Sequence, residues 1–471
     1  MILKHTNPSV FSGDPYKECY TGRISVGNSL IGIIDNIEFG GTISLVGEWG
    51  SGKTSFLRMW SQELKDRGFP TVFLNAWETE WAEDPLIAVI SCIYKACPNA
   101  SAHAKKINAI LKRFAHNPLP MLGAVLKTVL EPTIGVDPSL LLSEYQELAS
   151  NAFDSAVASF SERQNAMTDL KGELEKLAWD VNQGEKRDKP LVFIIDELDR
   201  CKPDYAVRML EVLKHFFEVR NIVFVCAVDK KHLEESIRGF YGSEGLDATE
   251  YLRRFFDLEV ELPTPDYQKF CDHLYGFYEL GDFFDSPERV KETSFKKHGF
   301  VFKAFLSSLA RRSHMTLRQL DRICAFTRIT LIGKNKNLYY FPDLSLFLTY
   351  LRFFDFHLYQ DIKSMRLSAQ ELLDRVTIVL GDTIKPHELG SHDDGRKMII
   401  NMIGSLLFFY NEGKEIKEYI YNPTGNDTNL KTTMCRPEEL AHVIRSYYLY
   451  DDSYSLKWLF DVLDILKMEE E

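Results

Sequence analysis

The chain has 471 residues, enough for two or three domains, and its 45% of hydrophobic residues is typical of a globular protein. A formal net charge of −12 argues against a dedicated nucleic-acid coat protein, although it does not exclude a local basic groove. The eight cysteines form no C-x-x-C pair and no cluster with zinc spacing, and the first residues lack the pattern of a signal peptide. We therefore expect a reducing, cytoplasmic location.

Short apolar runs alternate with helical patterns over the first half of the chain. The runs predicted to be strands are Thr42–Val46, Thr71–Asn75, Leu191–Ile195, Asn221–Val228 and Phe256–Leu262. Helical patterns cover Lys53–Arg67, most of Pro85–Lys112 and Glu144–Gln183. Strands that alternate with helices are typical of a parallel sheet covered on both faces. The sequence therefore predicts an α/β fold, a three-layer sandwich.

The strand signals fade beyond the fifth run, and this change suggests three units. We predict a core over residues 1–265 with a helical insertion at about 85–187, a helical lid over 266–335, and a helical C-terminal domain over 336–471. The role of the C-terminal domain is not indicated by any motif.

One apolar segment, Asn117–Val136, needs comparison with a membrane helix, which requires about 20 mostly apolar residues. Lys127, Glu131 and three prolines interrupt the segment. We predict that it packs within or on the protein and that the chain has no stable membrane span.

The first strand leads into the motif G-x-x-x-x-G-K-T at Gly47–Thr54. Its glycines allow the backbone amides to curl around phosphate groups, and the helix that follows adds its positive N-terminal end. The ammonium of Lys53 can reach the outer phosphates, and the hydroxyl of Thr54 suits Mg²⁺. The predicted nucleotide-binding residues are Gly47, Glu48, Trp49, Gly50, Ser51, Gly52, Lys53, Thr54 and Ser55.

The third strand ends in two acids, Asp196 and Glu197. We expect Asp196 to hold Mg²⁺ and Glu197 to polarise the water that attacks ATP. A guanine-binding N-K-x-D motif and the L-S-G-G-Q run of transporter ATPases are missing, and small-molecule kinases normally lack the adjacent Glu. The motifs therefore indicate an ATPase of the additional-strand class, with ATP and Mg²⁺ as ligands.

Several further residues are candidates for a role in this site. Asp229, at the end of the fourth strand, is predicted to be a sensor of the γ-phosphate, the N-cap of the next helix, or both. Arg200, Arg253, Arg254 and Arg318 could each stabilise charge in the transition state, and Arg254 and Arg318 are preferred. Trp49 is expected to pack on the segment Asn75–Trp77 rather than to stack on the nucleotide.

These motifs together resemble those of the KAP family of P-loop NTPases. The shared pieces are the Trp-Gly-Ser-Gly-Lys form of the loop, Phe73-Leu-Asn-Ala-Trp77, Asp196-Glu-Leu-Asp-Arg-Cys201, and Thr316-Leu-Arg318 in the predicted lid. The resemblance covers about residues 10–330. Many members carry paired membrane helices where this chain has Asn117–Val136, so the resemblance implies a soluble member. Here Glu197 replaces the Asp that many members have.

The resemblance implies an ATP-driven conformational switch or assembly factor, and because bacterial members are often phage-exclusion proteins, a role in antiphage defence is an expectation. Two rival functions remain. An ATP-dependent nucleic-acid-processing machine would use the basic stretches Lys105–Arg113, Lys296–Arg312 and Arg318–Arg328. An ATP-bound scaffold would show little turnover. Besides ATP we expect a protein partner and a homo-oligomer or hetero-complex. An arginine that acts in trans would require at least a dimer.

Overall fold

A five-stranded parallel sheet forms the centre of the first half of the protein in the computed structural model. The structure describes residues 10, 12–17, 19–37, 39–82, 84–96, 106, 109–110, 164–179, 189–216, 219–337, 339–381, 394–415, 418, 420, 428–447 and 455–464. The strands are β1 (Gly41–Val46), β2 (Thr71–Asn75), β3 (Leu191–Asp196), β4 (Ile222–Val228) and β5 (Leu258–Glu261). All five strand predictions are confirmed in place, with small differences at their ends.

The strands lie in the order β2-β3-β4-β1-β5. β4 therefore lies between β1, which leads into the glycine-rich loop, and β3, which ends in the acids. It pairs with both, through Ile43↔Val225 on one side and Phe193↔Phe224 on the other. This inserted strand confirms the prediction of the additional-strand class.

The edge strand β5 is shorter than the predicted Phe256–Leu262, and its pairing with β1 runs from Ile43↔Leu258 to Val46↔Glu261. Before the strand begins, the carboxylate of Asp257 accepts hydrogen bonds from the amide and the hydroxyl of Thr42, both at 2.8 Å. The side chain thus takes one of the places that a backbone carbonyl would have in the ladder.

Helices cover both faces of the sheet. On one face α1 (Ile24–Ile34) and α2 (Lys53–Asp66) bury Leu30, Leu57 and Trp60 against β-strand residues such as Val192 and Val225. The other face carries α4 (Pro85–Ala96), α5 (164–179), α6 (Pro203–Lys214), α7 (Lys230–Tyr241) and α8 (Ala248–Arg253), and the short α3 (Ala76–Thr79) follows β2. Alternate residues of each strand face opposite layers, as continuous apolar strands require. The three-layer α/β prediction is confirmed.

The rest of the described chain is helical. Its helices are α9 (Tyr267–Phe277), α10 (Gly281–Phe284), α11 (Pro287–Lys291), α12 (His298–Arg312), α13 (Leu317–Leu331), α14 (Pro342–Phe354), α15 (Phe356–Lys363), α16 (Ala369–Leu380), α17 (Asp394–Glu412), α18 (Pro437–Ser446) and α19 (Leu456–Leu463). Nearly all the buried apolar side chains between Tyr267 and Leu463 belong to one cluster. The division at residue 335 stays a prediction, but side chains on both sides of it share this core.

Two earlier expectations fall largely outside the described residues. Of the predicted helical insertion at about 85–187, the structure describes α4, α5 and three residues between them, all helical. The segment Asn117–Val136 is outside the description. Across the described ranges, none of the helices has the length and hydropathy needed to cross a bilayer.

Candidate functional site

The glycine-rich loop lies between the end of β1 and the start of α2, as the sequence predicts. Gly50 and Gly52 have φ angles of +83° and +92°, in a region that other residues rarely adopt. Both also contact the beginning of α13. A Cβ atom on Gly50 would lie 3.0 Å from the Cβ of Arg318, and one on Gly52 would lie 2.8 Å from Leu317 Cδ1. Glycine is needed here for its conformation and for space.

Lys53 is the first residue of α2, and its side chain is only 8% exposed. Its ammonium donates to the carbonyl oxygens of Gly47 at 2.5 Å and Glu48 at 3.3 Å. Burial lowers the pKa of Lys53, while the nearby carboxylates, chiefly Asp199 and Asp229, raise it. The ammonium therefore lies at the loop among oxygen acceptors, and phosphate oxygens are acceptors of the same kind.

The predicted metal ligands Asp196 and Thr54 lie together. Asp196 is fully buried, and burial raises its pKa to about 6, against the opposing effect of a hydrogen bond with the Thr54 side chain. Its Oδ1 accepts the amide of Glu197 at 3.0 Å, whereas its Oδ2 has no hydrogen-bond partner in the described part of the chain. A buried carboxylate oxygen beside a hydroxyl is the hard oxygen donor set that Mg²⁺ prefers, so these residues fit a magnesium ion.

Glu197 follows directly, with a φ angle of +60°. Its Oε1 forms an ion pair with Arg200 Nη1 at 2.6 Å, and its Oε2 accepts a hydrogen bond from Asn75 Nδ2 at 3.0 Å. Asn75 is in place because β2 pairs with β3 in the register Asn75↔Asp196. Arg200, predicted as a possible transition-state residue, is thus ion-paired with Glu197, the proposed general base.

Asp229 occupies the N-cap position of α7, but its side chain makes no capping hydrogen bond. Its Oδ2 instead accepts the amide of Trp49 at 2.9 Å and lies 3.1 Å from His232 Nδ1. The carboxylate therefore faces the loop, where a phosphate sensor would need to be. That sensing role stays a prediction.

Trp49 packs on protein groups, but its partner is not the predicted one. The indole stacks on His232, with ring centroids 3.6 Å apart, and its Nε1 donates to Asp199 Oδ2 at 2.6 Å, while within the described ranges no hydrogen bond or ring contact joins it to Asn75–Trp77. Sequence reasoning missed this arrangement because both partners are far away along the chain.

The two preferred arginines differ in position. Arg318 begins α13, and its amide lies 3.4 Å from the carbonyl oxygen of Gly50, so the residue lies beside the loop with an exposed side chain. Arg254 is exposed at the end of α8, and within the described ranges no hydrogen bond or ion pair joins it to the loop or the acids. Arg253 pairs with Glu250. The catalytic roles of Arg254 and Arg318 stay predictions.

Arg23 is a site residue that no sequence signal indicated. Only 2% exposed, it donates through Nη1 to the carbonyl of Ser51 at 2.6 Å, and through Nε and Nη2 to the carbonyl of Pro263 at 2.9 and 2.6 Å. Burial lowers its pKa to about 10. Arg23 thus joins the loop to the segment between β5 and α9.

A cleft of about 570 Å³ opens beside the loop, within the size range of small-molecule sites. Its lining includes Arg23, Glu48, Ser51, Asp229, Tyr267 and Thr316. The cleft is therefore bounded by the sheet edge, by the loop and by the helical region.

The family profile described as the KAP family P-loop domain matches residues 23–331. The chain belongs to this family. The match confirms the resemblance drawn from the motifs, and the whole of the site described above lies inside it. No curated protein sequence matches the chain. As a KAP-family member with a complete phosphate loop, the protein binds nucleotide.

Two solved structures are similar over most of the chain. The Aeropyrum pernix ORC2 protein, in ADPNP–ADP complexes, is 13% identical, with 98% of this chain and 95% of that chain covered at a TM-score of 0.35. The Drosophila ORC bound to DNA is 12% identical, with coverages of 82% and 86% and a TM-score of 0.28. Likenesses of this size carry no argument about ligand or partner.

Proposed function

We propose that this KAP-family protein hydrolyses Mg-ATP and uses the reaction to switch the contact between its nucleotide site and its helical region. The proposal rests on one observation: Lys53, the Asp196–Thr54 pair and Glu197 lie close together at the carboxyl end of the sheet. These groups supply phosphate binding, metal binding and activation of water, the components that phosphoryl transfer to water requires.

The reaction follows from the positions of these side chains. The loop amides and Lys53 bind the phosphates, and the ammonium exchanges its contacts with the Gly47 and Glu48 carbonyls for phosphate oxygens. Asp196 and Thr54 would hold Mg²⁺, which when bound neutralises charge on the phosphates. Glu197 accepts a proton from the attacking water, and for this its carboxylate must leave the ion pair with Arg200.

Charge balance supports the metal. Three buried carboxylates, those of Asp196, Asp199 and Asp229, act on the single ammonium of Lys53. Buried charge without compensation is costly, and a divalent cation would reduce the excess of negative charge.

The switch would act through the contacts at Gly50 and Gly52, where the loop touches the start of α13. α13 packs within the same apolar cluster as the remaining helices, so a shift of its first turn would move a large packed body. A partner protein would bind a surface whose position changes with that movement, and an antiphage role would be one use of such binding. For this reason we place the partner-binding surface in the helical region.

Of the rivals, the scaffold with little turnover is supported by the engagement of Glu197 with Arg200 and Asn75. The nucleic-acid machine is less favoured, because part of its basic charge is neutralised: Lys303 pairs with Asp272, and Arg328 pairs with Glu279 and Asp282. Both rivals predict different kinetics from the switch.

Phosphate release tests the proposal, measured for the wild type and Asp196→Asn with Mg²⁺ or with EDTA. We expect turnover that EDTA abolishes and that Asp196→Asn lowers by about 100-fold. Because the pKa of Asp196 is about 6, metal-dependent nucleotide binding should weaken as the pH falls through 6, where the carboxyl takes up a proton.

DNA, RNA and cell extract, each added in separate reactions, distinguish the rivals. Stimulation by nucleic acid that salt suppresses would favour the nucleic-acid machine. Tight nucleotide binding without phosphate release under every condition would favour the scaffold and contradict the ATPase.

A further inference from the structure

The third acid of the motif that follows β3, Asp199, is a further organising residue of the site. It lies in a short 3-10 turn (Leu198–Arg200) and is 5% exposed. Its Oδ2 accepts two hydrogen bonds, from Trp49 Nε1 at 2.6 Å and from the amide of Asp229 at 2.8 Å. The same oxygen lies 3.8 Å from Lys53 Nζ.

The three groups around this oxygen, two hydrogen-bond donors and one ion-pair partner, come from different elements of the fold. Trp49 belongs to the phosphate loop, Lys53 to the start of α2, and Asp229 to the end of β4. Asp229 closes the arrangement, because its carboxylate accepts the amide of Trp49 at 2.9 Å. One buried oxygen therefore fixes the loop relative to the carboxylate that faces it.

The indole of Trp49 is held on its ring face as well. It stacks on His232, on the first turn of α7, with an angle of 16° between the ring planes. One hydrogen bond to the turn after β3, and one hydrogen bond and one stacking contact to the β4–α7 connection, thus fix Trp49, the third residue of the loop. A residue such as Trp49 can hold reacting groups in place only if the residues that contact it are themselves fixed, as the hydrogen bonds and the ring contact fix them here.

We infer that Asp199 is a positioning residue for ATP hydrolysis: through Trp49 and the amide of Asp229 it sets the distance between the phosphate loop and the Asp229 carboxylate. This inference rests on the proposed ATPase function. Among the described residues no backbone amide of the loop donates to Asp199, and Lys53 lies 3.8 Å from it, beyond hydrogen-bond distance. The loss of Asp199 should therefore lower turnover much more than nucleotide affinity.

Two substitutions at position 199 separate hydrogen bonding from charge. Asp199→Asn keeps an oxygen that can accept both N–H groups but removes the charge beside Lys53. Asp199→Ala removes both. We expect kcat within about threefold of wild type for Asn, and at least about tenfold lower for Ala, with an ATP dissociation constant within about threefold in each case.

Trp49→Phe identifies the route of the effect. It removes the Nε1 donor and keeps an aromatic ring for His232. If Asp199 acts through Trp49, the substitution lowers kcat less in the Asp199→Ala background than in the wild type, as a double-mutant cycle measures. Asp204→Ala is the matched control, since Asp204 is an exposed acid paired with Arg208 on its own helix.

A spectroscopic measurement keeps the inference testable without turnover. The fluorescence of Trp49 is the emission of a protein minus the emission of the same protein with Trp49→Phe. This difference spectrum should shift to longer wavelength in Asp199→Ala and stay unchanged in Asp199→Asn. If the wild-type protein shows no turnover, that result contradicts only the ATPase proposal. The difference spectrum would still show whether Asp199 holds Trp49 in position.

Three results would overturn the inference. The first is an unchanged kcat and Trp49 spectrum in Asp199→Ala. The second is a parallel loss of kcat, ATP binding and thermal stability, which would show a general structural role. The third is an Asn variant as impaired as the Ala variant, which would assign the effect to charge.

Discussion

The carboxyl end of the sheet and the helical region from Tyr267 to Leu463 bury polar groups in different ways. At the sheet, Lys53, Asp196, Asp199 and Asp229 are all buried and all lie around one loop. In the helical region a large cluster of buried apolar side chains, in which aromatic rings are prominent, forms the core. A concentration of buried charge marks the place where the protein handles a charged ligand, since such burial is costly without a function.

The helical region also buries charge, but there the charged side chain contacts other groups of the same region. The fully buried Arg289 lies over the rings of Phe283 and Phe295, at 4.5 and 4.6 Å, and donates to the carbonyl of Lys336 at 2.8 Å. Its neighbour His298 has a pKa lowered to about 3, by burial and by Arg289, so the imidazole stays neutral at physiological pH. These groups join helices to one another and form a scaffold.

The contrast predicts that damage to the helical core changes stability without changing the nucleotide site. Phe302 is fully buried, with ring centroids 5.1 Å from Phe284 and 5.9 Å from Tyr275. Phe302→Ala should lower the free energy of unfolding by about 3–5 kcal/mol. Chemical denaturation measures this loss, and ATP affinity of the folded protein should stay within about twofold.

Phe300→Ala is the control on the same helix, because this ring is 55% exposed and its loss should have little effect on stability. Equal effects of the two substitutions would contradict the assignment of Phe302 to a packed core. A large loss of ATP affinity in folded Phe302→Ala would break the separation between the two regions.

At the nucleotide site the opposite result is expected. Lys53→Met removes the ammonium that donates to the loop carbonyls, and charge-assisted contacts to phosphate contribute about 3 kcal/mol. ATP binding should weaken by about 100-fold in calorimetric titrations. Lys65→Met, at the exposed end of α2, should leave affinity unchanged. Wild-type affinity in Lys53→Met would exclude this loop as the nucleotide site.

A smaller effect is expected where the two regions meet. Gly50→Ala forces a side chain into a φ of +83° and against the start of α13, which should cost about 1–2 kcal/mol and weaken ATP binding by about tenfold. Gly276→Ala in α9 is the control, since nothing lies within 4 Å of its added Cβ, and the helix should be stabilised by about 0.5–1 kcal/mol. An unaffected Gly50→Ala would show that the contact with α13 tolerates displacement.

The sequence indicated the local part of the site well. The five strands, the loop and the acid pair follow from apolar runs and from a motif whose residues are neighbours in the chain. The contacts that complete the site join distant positions: Arg23 and Pro263 are 240 residues apart, and Trp49 and Asp199 are 150 apart. Motif spacing contains no information about such pairs, so the packing partner of Trp49 was predicted wrongly and Arg23 was missed.

Asp199 was visible in the sequence as part of the acidic motif, but nothing there distinguished it from a solvated acid at a helix start. Only the fold shows that its carboxylate points to the loop. In the helical region, apolar periodicity predicted helices, but it did not indicate that the side chains on both sides of residue 335 share one core. Long-range packing decides that arrangement, and single-helix patterns do not record it.

The central claim is that Glu197 activates water at an intact nucleotide site. Glu197→Gln keeps the size of the side chain and its contact with Asn75 but removes the base. ATP turnover and ATP binding, measured together on this variant and the wild type, test the claim most directly. The account predicts that turnover falls by at least about 100-fold while the ATP dissociation constant stays within about threefold. Turnover that survives the substitution would contradict it.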